Sequence, residues 1–314
     1  VPEEGYVLHT YGKTEYVRHA VASVVTLRRH DKGRPIALYC PPSHRETLDR
    51  HKVAHLFDKI EELPKAHRSL PGFKLHLHRF MPFECNLFVD ADMIWCRSTD
   101  MLWKQLSVYP FTATGLERAD PYFGGPKHLG VIWEFFRDRR RKTLQQFGLT
   151  CLPRVQAGII YASSPKKTQE VCVTASAFMK RVDETHFRRR IDEGRSEESC
   201  EWALAMAMSK LNLAVYPWLL NYNSPQLDYI TGLTSHTEDF REVVCKYYCD
   251  RFVYDIRGLR NQKLRNFCFR MATTILRRQD YLMVTPFALH FGWLHEKPPF
   301  ENFVRLTWEK VTSA

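Results

Sequence analysis

At 314 residues, with 44% hydrophobic and 26% charged, the chain has ordinary globular values that exclude a disordered class and leave room for a sizeable core. No apolar run approaches the roughly 20 residues of a membrane-spanning helix. The formal net charge of +11 favours anionic partners such as nucleotide phosphates, nucleic acid or acidic lipid, without choosing among them.

The opening GYVLHTYG reads as a strand ending at Gly12. From Glu15 to His30, Val17, Ala20, Val21, Val24, Val25 and Leu27 recur at helical spacing. Gly33-Arg34-Pro35 breaks that pattern, and Ile36 to Cys40 reads as a second strand. Pro41-Pro42 ends it, with Ser43 in place to cap the next helix. A third strand is expected near His55 to Ile60, and a helix over Phe73 to Met81. The apolar strand NLFV then stops at two carboxylates, Asp90 and Asp92, ahead of a helix starting near Asp100. In the second half, Val155 to Ser164 reads as a strand with an internal glycine, Gln169 to Arg181 and Glu198 to Leu211 as helices, and Leu282 to Phe291 as a late strand.

Strands alternating with helices predict an α/β fold with a mostly parallel central sheet and helices on both faces. Ligands on such sheets bind outside the carboxyl ends of the strands, which brings Thr10-Tyr11-Gly12 and the two aspartates to one crevice. No repeat, low-complexity linker or Gly/Ser hinge interrupts the chain. One domain is therefore expected over residues 1–314, with a nucleotide-binding half to about residue 105 and an acceptor half after it.

Arginine concentrates in Arg137 to Lys142, Phe187 to Arg190 and Arg277-Arg278, runs that read first as solvated helix faces. The nine cysteines are odd in number and lack paired spacing; Cys245 and Cys249 have no second pair to complete a zinc site. Several, such as Cys40 and Cys85, sit in or beside apolar stretches. That usage, with no signal-peptide pattern at the start, makes cytoplasmic placement the expectation. Because the chain begins at Val1, a removed leader or anchor stays open as an alternative.

An isolated Asp-x-Asp is weak, since fifteen aspartates in a chain this long give roughly 0.7 such triplets by chance. Its place after a buried strand of an α/β pattern strengthens it. Two carboxylates one residue apart can share a divalent cation that bridges to a diphosphate, whereas the bland alternative is strand-end solvation or a helix cap. No glycine loop of the dinucleotide or P-loop kind is present, so a bound diphosphate needs a metal and basic side chains. The tail ALHFGWLHEKPPFE offers His290 as a ligand, Gly292 for close backbone approach and Lys297 as a point charge. Taken alone, that histidine reads better as a core residue beside a turn.

In this order the motifs resemble those of glycosyltransferases of the glycogenin and bacterial lipopolysaccharide-galactosyltransferase type, which have the single-domain GT-A fold. Lys74-Leu75-His76 resembles the KLH element that precedes the Asp-x-Asp of that family, at the glycogenin spacing from position 74 to position 90. Tyr16, after Thr10 and Tyr11, falls where the family carries a uracil-stacking tyrosine; Gln156-Ala157-Gly158 resembles its Asn-x-Gly strand. His290, Gly292, Lys297 and Pro298 resemble its terminal His-x-x-Gly-x-x-Lys-Pro, the glycine one position early and the lysine one late. Gln156 departs from the asparagine that contacts the donor sugar, and the Asp-Gln element near the anomeric carbon has no clean copy. Glu201 is the first choice for that role and Glu198 the second.

The resemblance implies metal-dependent transfer of a hexose from a UDP-sugar to a glycan, glycolipid or other acceptor, with retention at the anomeric carbon. It assigns Asp90, Asp92 and His290 to Mn²⁺ or Mg²⁺, with Glu201, Glu198 and Lys74 as catalytic candidates. It assigns the donor to Thr10, Tyr11, Tyr16, Lys74, Asp90, Ala91, Gln156, Ala157, Gly158, Gly292 and Lys297. In the acceptor half, Trp218, Asn221 and Asn223 lie in an aromatic and amide-rich stretch that suits sugars, or else forms a buried cluster. The basic segment 263–278 carries Leu264, Phe267, Met271, Ile275 and Leu276 at helical spacing, so it suits an anionic membrane surface or an ordinary core. A sugar-nucleotide nucleotidyltransferase and a non-catalytic polyanion or nucleic-acid binder are the alternatives. The first lacks a glycine-rich phosphate loop and the second a recognition motif among its scattered basic residues, so no nucleic acid is expected.

Overall fold

The computed structural model describes residues 3–119, 123, 139–194, 196–248, 261–271, 281–292 and 296–313. The chain divides into two compact units: Val1–Ala20, Gly33–Ala91 and Trp103–Trp218 form the first; Val21–Lys32, Asp92–Leu102 and Leu219–Ala314 form the second.

The first unit is built on a seven-stranded sheet of order β3-β2-β1-β4-β7-β6-β8. Its strands are β1 (Glu4–His9), β2 (Ile36–Cys40), β3 (Lys59–Glu62), β4 (Cys85–Val89), β6 (Phe111–Leu116), β7 (Arg154–Ala162) and β8 (Tyr216–Pro217). The first four run parallel, β7 is antiparallel to both β4 and β6, and β6 and β8 are parallel. Every residue of β2 and β4 is buried, which explains why they read as unbroken apolar runs rather than alternating ones. The mostly parallel sheet is as expected. The antiparallel β7 is a correction to the simple strand-helix alternation.

Helix α1 (Glu15–His30) has the expected bounds. Its buried stripe is Val17, Ala20, Val21, Val24 and Leu27, with Glu15 in the first turn and Arg28, Arg29 and His30 in the last, which matches the helix dipole. Helix α2 (Pro42–Arg50) starts after Pro41 with proline in its first turn, so Ser43 lies inside it instead of capping it. The third strand begins at Lys59, and Ala54–Leu56 forms a 3₁₀ turn.

The helix expected over Phe73 to Met81 breaks in two. Helix α3 (Leu70–Lys74) starts at Ser69, whose hydroxyl accepts the Gly72 N–H at 3.0 Å, and a 3₁₀ turn covers Leu77–Arg79. Phe73, Leu75, Leu77 and Phe80 are all buried. Successive helical residues are about 100° apart, so one helix would turn Leu75 away from Phe73. The break lets all four enter the core of the first unit, which also holds Phe88, Phe111 and Trp202. Helices α4 (Asp100–Leu106), α5 (Arg139–Phe147), α6 (Pro165–Met179) and α7 (Glu201–Lys210) follow. Residues 202–209 of α7 are buried throughout, so it is apolar on all sides.

The second unit has two three-stranded sheets, one of β5 (Met93–Trp95), β13 (Ala288–His290) and β9 (Gln226–Asp228), the other of β10 (Thr234–His236), β11 (Val243–Tyr248) and β12 (Tyr281–Val284). The late strand expected over Leu282 to Phe291 is thus two strands in two sheets. The chain leaves the first at Thr285-Pro286, where proline cannot donate to a ladder. An aromatic core of Tyr229, Phe240, Phe291, Phe300 and Phe303 fills this unit. Helix α9 (Pro298–Ser313) buries Phe300, Phe303, Val304, Thr307 and Trp308 at helical spacing, the first three of them in this core.

Helix α8 (Gln262–Arg270) has Leu264 and Phe267 exposed, while residues 272–278 of the basic segment lie outside the described residues. Arg137, Arg277, Arg278 and Cys249 lie outside them as well. The eight described cysteines are all free thiols. Among the described residues no helix is long and apolar enough to cross a membrane.

Candidate functional site

In the first unit the site grows from the ends of β1, β4 and β7. After β1 the chain turns at Gly12, whose φ of +75° is left-handed and favours glycine. His44 holds this turn, pairing through Nδ1 with the Thr10 hydroxyl at 2.9 Å and through Nε2 with the Gly12 carbonyl at 3.3 Å. Tyr11 donates its hydroxyl to Glu197 Oε2 at 2.7 Å. Burial, then that carboxylate, then Asp90 push the Tyr11 phenol far above its ordinary pKa, so it stays a donor. Tyr16, in the first turn of α1, is 42% exposed, and its ring meets that of His19 edge to face with centroids 5.6 Å apart.

Lys74 ends α3 and is buried. Its ammonium lies 2.7 and 3.0 Å from the two Asp90 oxygens and 2.8 Å from the Ala157 carbonyl. Burial by itself would lower the Lys74 pKa, but Asp90 opposes it and the net shift is upward, so the lysine is a fixed cation. The Asp90 N–H donates to the Gly158 carbonyl at 3.0 Å, and the Ala157 N–H donates to Glu201 Oε1 at 3.3 Å. Glu201 Oε2 also lies 3.9 Å from the Arg190 guanidinium. The Gln156 carbonyl accepts from Thr114. Thus hydrogen bonds and an ion pair join Lys74, Asp90, Ala157, Gly158 and Glu201, with Gln156 next along β7 and Tyr11 near enough to feel the Asp90 charge. The two oxygens of Glu198 accept the Arg190 and Ile191 N–H groups at 2.9 and 3.1 Å.

In the second unit, Asp92 sits in the turn just ahead of β5. Lys297 Nζ lies 2.9 Å from Asp92 Oδ2, and His290 Nε2 lies 3.7 Å from Asp92 Oδ1. His290 ends β13, and its Nδ1 is 2.8 Å from Oδ1 of the buried Asp228 on neighbouring β9. The main chain reinforces the group: the Phe291 N–H donates to the Asp92 carbonyl and the Tyr229 N–H to the His290 carbonyl. Asp92 and His290 each offer a ligand atom, and these lie within 4.8 Å of each other. Along the chain only Ala91 separates Asp92 from Asp90, which limits their Cα atoms to about 7 Å apart. Carboxylate oxygens with one imidazole nitrogen suit a hard divalent ion such as Mn²⁺ or Mg²⁺.

Of the acceptor candidates, Asn221 is exposed and Asn223 partly so, whereas Trp218 is buried, the second of the two readings offered for it. Sequence reasoning missed two carboxylates. Asp228 had a signal, as an acid within the apolar run Leu227 to Ile230. Glu197 had none, because its partners Tyr11 and the Leu70 N–H are far away in sequence.

No protein-family model matches the chain, and no curated protein matches it in sequence. Solved structures do match in fold. The galactosyltransferase LgtC, solved with donor and acceptor sugar analogues, overlays on 98% of this chain and 95% of its own, with a TM-score of 0.51 and 10% identity. The glycosyltransferase GlyE of Streptococcus pneumoniae TIGR4 overlays on 99% of this chain and 62% of its own, with a TM-score of 0.51 and 11% identity. The chain therefore has the α/β fold of these glycosyltransferases, GT-A.

Proposed function

We propose that the protein is a metal-dependent, retaining glycosyltransferase that moves a hexose from a UDP-sugar to a hydroxyl of a glycan, glycolipid or other saccharide acceptor. The observation that carries this reading is the pair Asp90 and Asp92 at the end of the central strand β4, each carboxylate held by a lysine, in a chain with the GT-A fold. Strand-end solvation does not call for a buried lysine on one of these acids and an oriented imidazole beside the other.

Asp90, Asp92 and His290 would hold Mn²⁺ or Mg²⁺. A bound cation supplies Lewis-acid stabilisation of the charge that grows on the departing diphosphate. Lys74 and Lys297 add fixed positive charge at these carboxylates, and a water-poor crevice makes such charges more effective. Tyr16 is assigned to stack on the uracil ring, with Thr10, Tyr11 and Ala91 lining the nucleotide. Gln156, Ala157, Gly158 and Gly292 line the sugar and diphosphate. In the reaction the bond from the anomeric carbon to the diphosphate oxygen breaks with its electron pair leaving on UDP. A bond to the acceptor oxygen forms on the same face, and the acceptor hydroxyl proton passes to the departing diphosphate oxygen. Glu201 is the first choice for the carboxylate near the anomeric carbon, since it accepts the Ala157 N–H of the proposed donor strand while Glu198 is engaged by the main-chain N–H groups of Arg190 and Ile191. Asn221 and Asn223 are assigned to the acceptor. Leu264 and Phe267, exposed beside Lys263 on α8, are assigned to an anionic membrane surface, tested by sedimentation with anionic liposomes at low salt.

The test is to incubate the protein with a panel of nucleotide sugars, with and without Mn²⁺, and follow release of free nucleotide. Metal-dependent turnover of one UDP-sugar is expected. Asp92→Asn should abolish it and weaken nucleotide binding in the presence of Mn²⁺. Unchanged binding of every nucleotide by Asp92→Asn would refute the cation assignment.

A further inference from the structure

We infer that Asp228 and Gly292 are positioning residues that fix the tautomer and the orientation of the His290 ring before any cation arrives. The inference deepens the reading above, since it specifies how this chain prepares one of the three proposed ligands.

The ring is constrained from two sides. On one side, Asp228 is buried at 5% exposure and its Oδ1 lies 2.8 Å from His290 Nδ1. A carboxylate only accepts, so Nδ1 carries the proton, and the neutral ring keeps its lone pair on Nε2. Nε2 is the atom 3.7 Å from Asp92 Oδ1. The two side chains meet because β9 and β13 run parallel with Asp228 and His290 in register, while His290 pairs with Met93 of β5 on the other side. Strand pairing therefore sets the backbone, and the buried acid sets the ring.

On the other side lies Gly292, two residues on. A Cβ there would stand 2.5 Å from His290 Cε1, 3.1 Å from Nε2 and 3.2 Å from Nδ1. Gly292 does not have the left-handed backbone that demands glycine, so what it supplies is room. The imidazole occupies the space a side chain would fill. Because the obstructing atoms form a side-chain ring rather than backbone, alanine at 292 would turn the ring off Asp228 and leave the strand in place. The glycine of the tail thus serves the histidine, beyond the backbone approach to phosphate that its position in the motif implies.

The experiment uses the whole chain labelled with ¹⁵N-histidine. Long-range ¹H–¹⁵N correlation at pH 8 without metal reports which His290 nitrogen holds the proton, and electron paramagnetic resonance titration reports Mn²⁺ affinity. The wild type is expected to show the Nδ1–H tautomer. Asp228→Asn, nearly isosteric, presents an amide that donates as well as accepts, so the Nε2–H tautomer should become populated and Mn²⁺ binding should weaken about 10- to 100-fold. Gly292→Ala should broaden or shift the His290 signals and weaken Mn²⁺ binding in the same direction, with strand signals unchanged. A wild-type Nε2–H tautomer would overturn the inference, as would an unaltered tautomer and Mn²⁺ affinity in both variants. If the wild type showed the Nδ1–H tautomer but bound no Mn²⁺, the cation assignment would fall while the positioning of His290 stood.

Discussion

Replacing Lys74 by methionine removes the ammonium that lies against both Asp90 oxygens and the Ala157 carbonyl while nearly preserving side-chain volume. Breaking a fully buried ion pair by deleting one partner costs about 3–5 kcal/mol, because the other charge is left uncompensated. The Asp90 side chain is 21% exposed, so water recovers part of that penalty, and the lower end applies. The orphaned Ala157 carbonyl adds about 1 kcal/mol. A total near 4 kcal/mol, set against an unfolding entropy of about 2.1 cal/mol/K per residue, lowers the melting temperature by about 6 °C if the chain unfolds in one transition. Differential scanning calorimetry on Lys74→Met measures this directly. The decisive comparison is the double variant Lys74→Met with Asp90→Asn, which removes the stranded charge and should recover to within about 1–2 kcal/mol of the wild type. A Lys74→Met melting temperature within 1 °C of wild type, or a double variant less stable than Lys74→Met, would refute the view that the lysine neutralises Asp90 in the folded protein.

Three further outcomes follow from other parts of the molecule. Burial, with Arg140 and Arg139 nearby, pushes the His186 pKa down to about 4, so the unfolded chain binds its proton first. Stability from this group is therefore complete above pH 6.5 and lost as pH falls from 6.5 towards 4, by up to about 3 kcal/mol; urea melts of His186→Phe should show a correspondingly shallower loss over that window. Gly115→Ala would place a Cβ 2.3 Å from the Arg154 carbonyl oxygen, a main-chain neighbour that cannot give way, so it should cost at least about 2 kcal/mol by chemical denaturation, while Gly33→Ala, with nothing within 4 Å, should be neutral. Tyr16→Ala should weaken UDP binding by about 1–3 kcal/mol in calorimetry without moving the melting temperature, as expected for an exposed ring lost from under a base.

What the sequence revealed tracks what is local. The bounds of α1 and β2 were readable to the residue, because apolar periodicity and the Gly33-Arg34-Pro35 break are short-range signals. The fold class was readable from the alternation of strands and helices. The reversal of β7 was not, since a buried apolar strand reads the same in either direction. The division of the late strand could have been read from Pro286, but its two destinations depend on β5, β9 and β11, which lie far away in sequence. The order of motifs singled out Lys74, Asp90, Asp92 and His290, and the contacts Lys74–Asp90 and His290–Asp92 are present in the fold. Their supports were less legible: Asp228 becomes meaningful only once β9 lies beside β13, and Glu197 only once Tyr11 reaches it.

The main chain of Gln156-Ala157-Gly158 receives Thr114 and Lys74 at its first two carbonyls and the Asp90 N–H at its third, and directs the Ala157 N–H to Glu201. These contacts read peptide groups, not side chains. This segment should therefore accept exchanges of small side chains more readily than a change in chain length. Deleting one residue between Arg154 and Gly158 would hand each carbonyl to the wrong donor and turn the strand's faces inside out at the same time. Variation among natural forms of this protein should accordingly appear here as substitution, and length differences should be confined to the loops that flank β7.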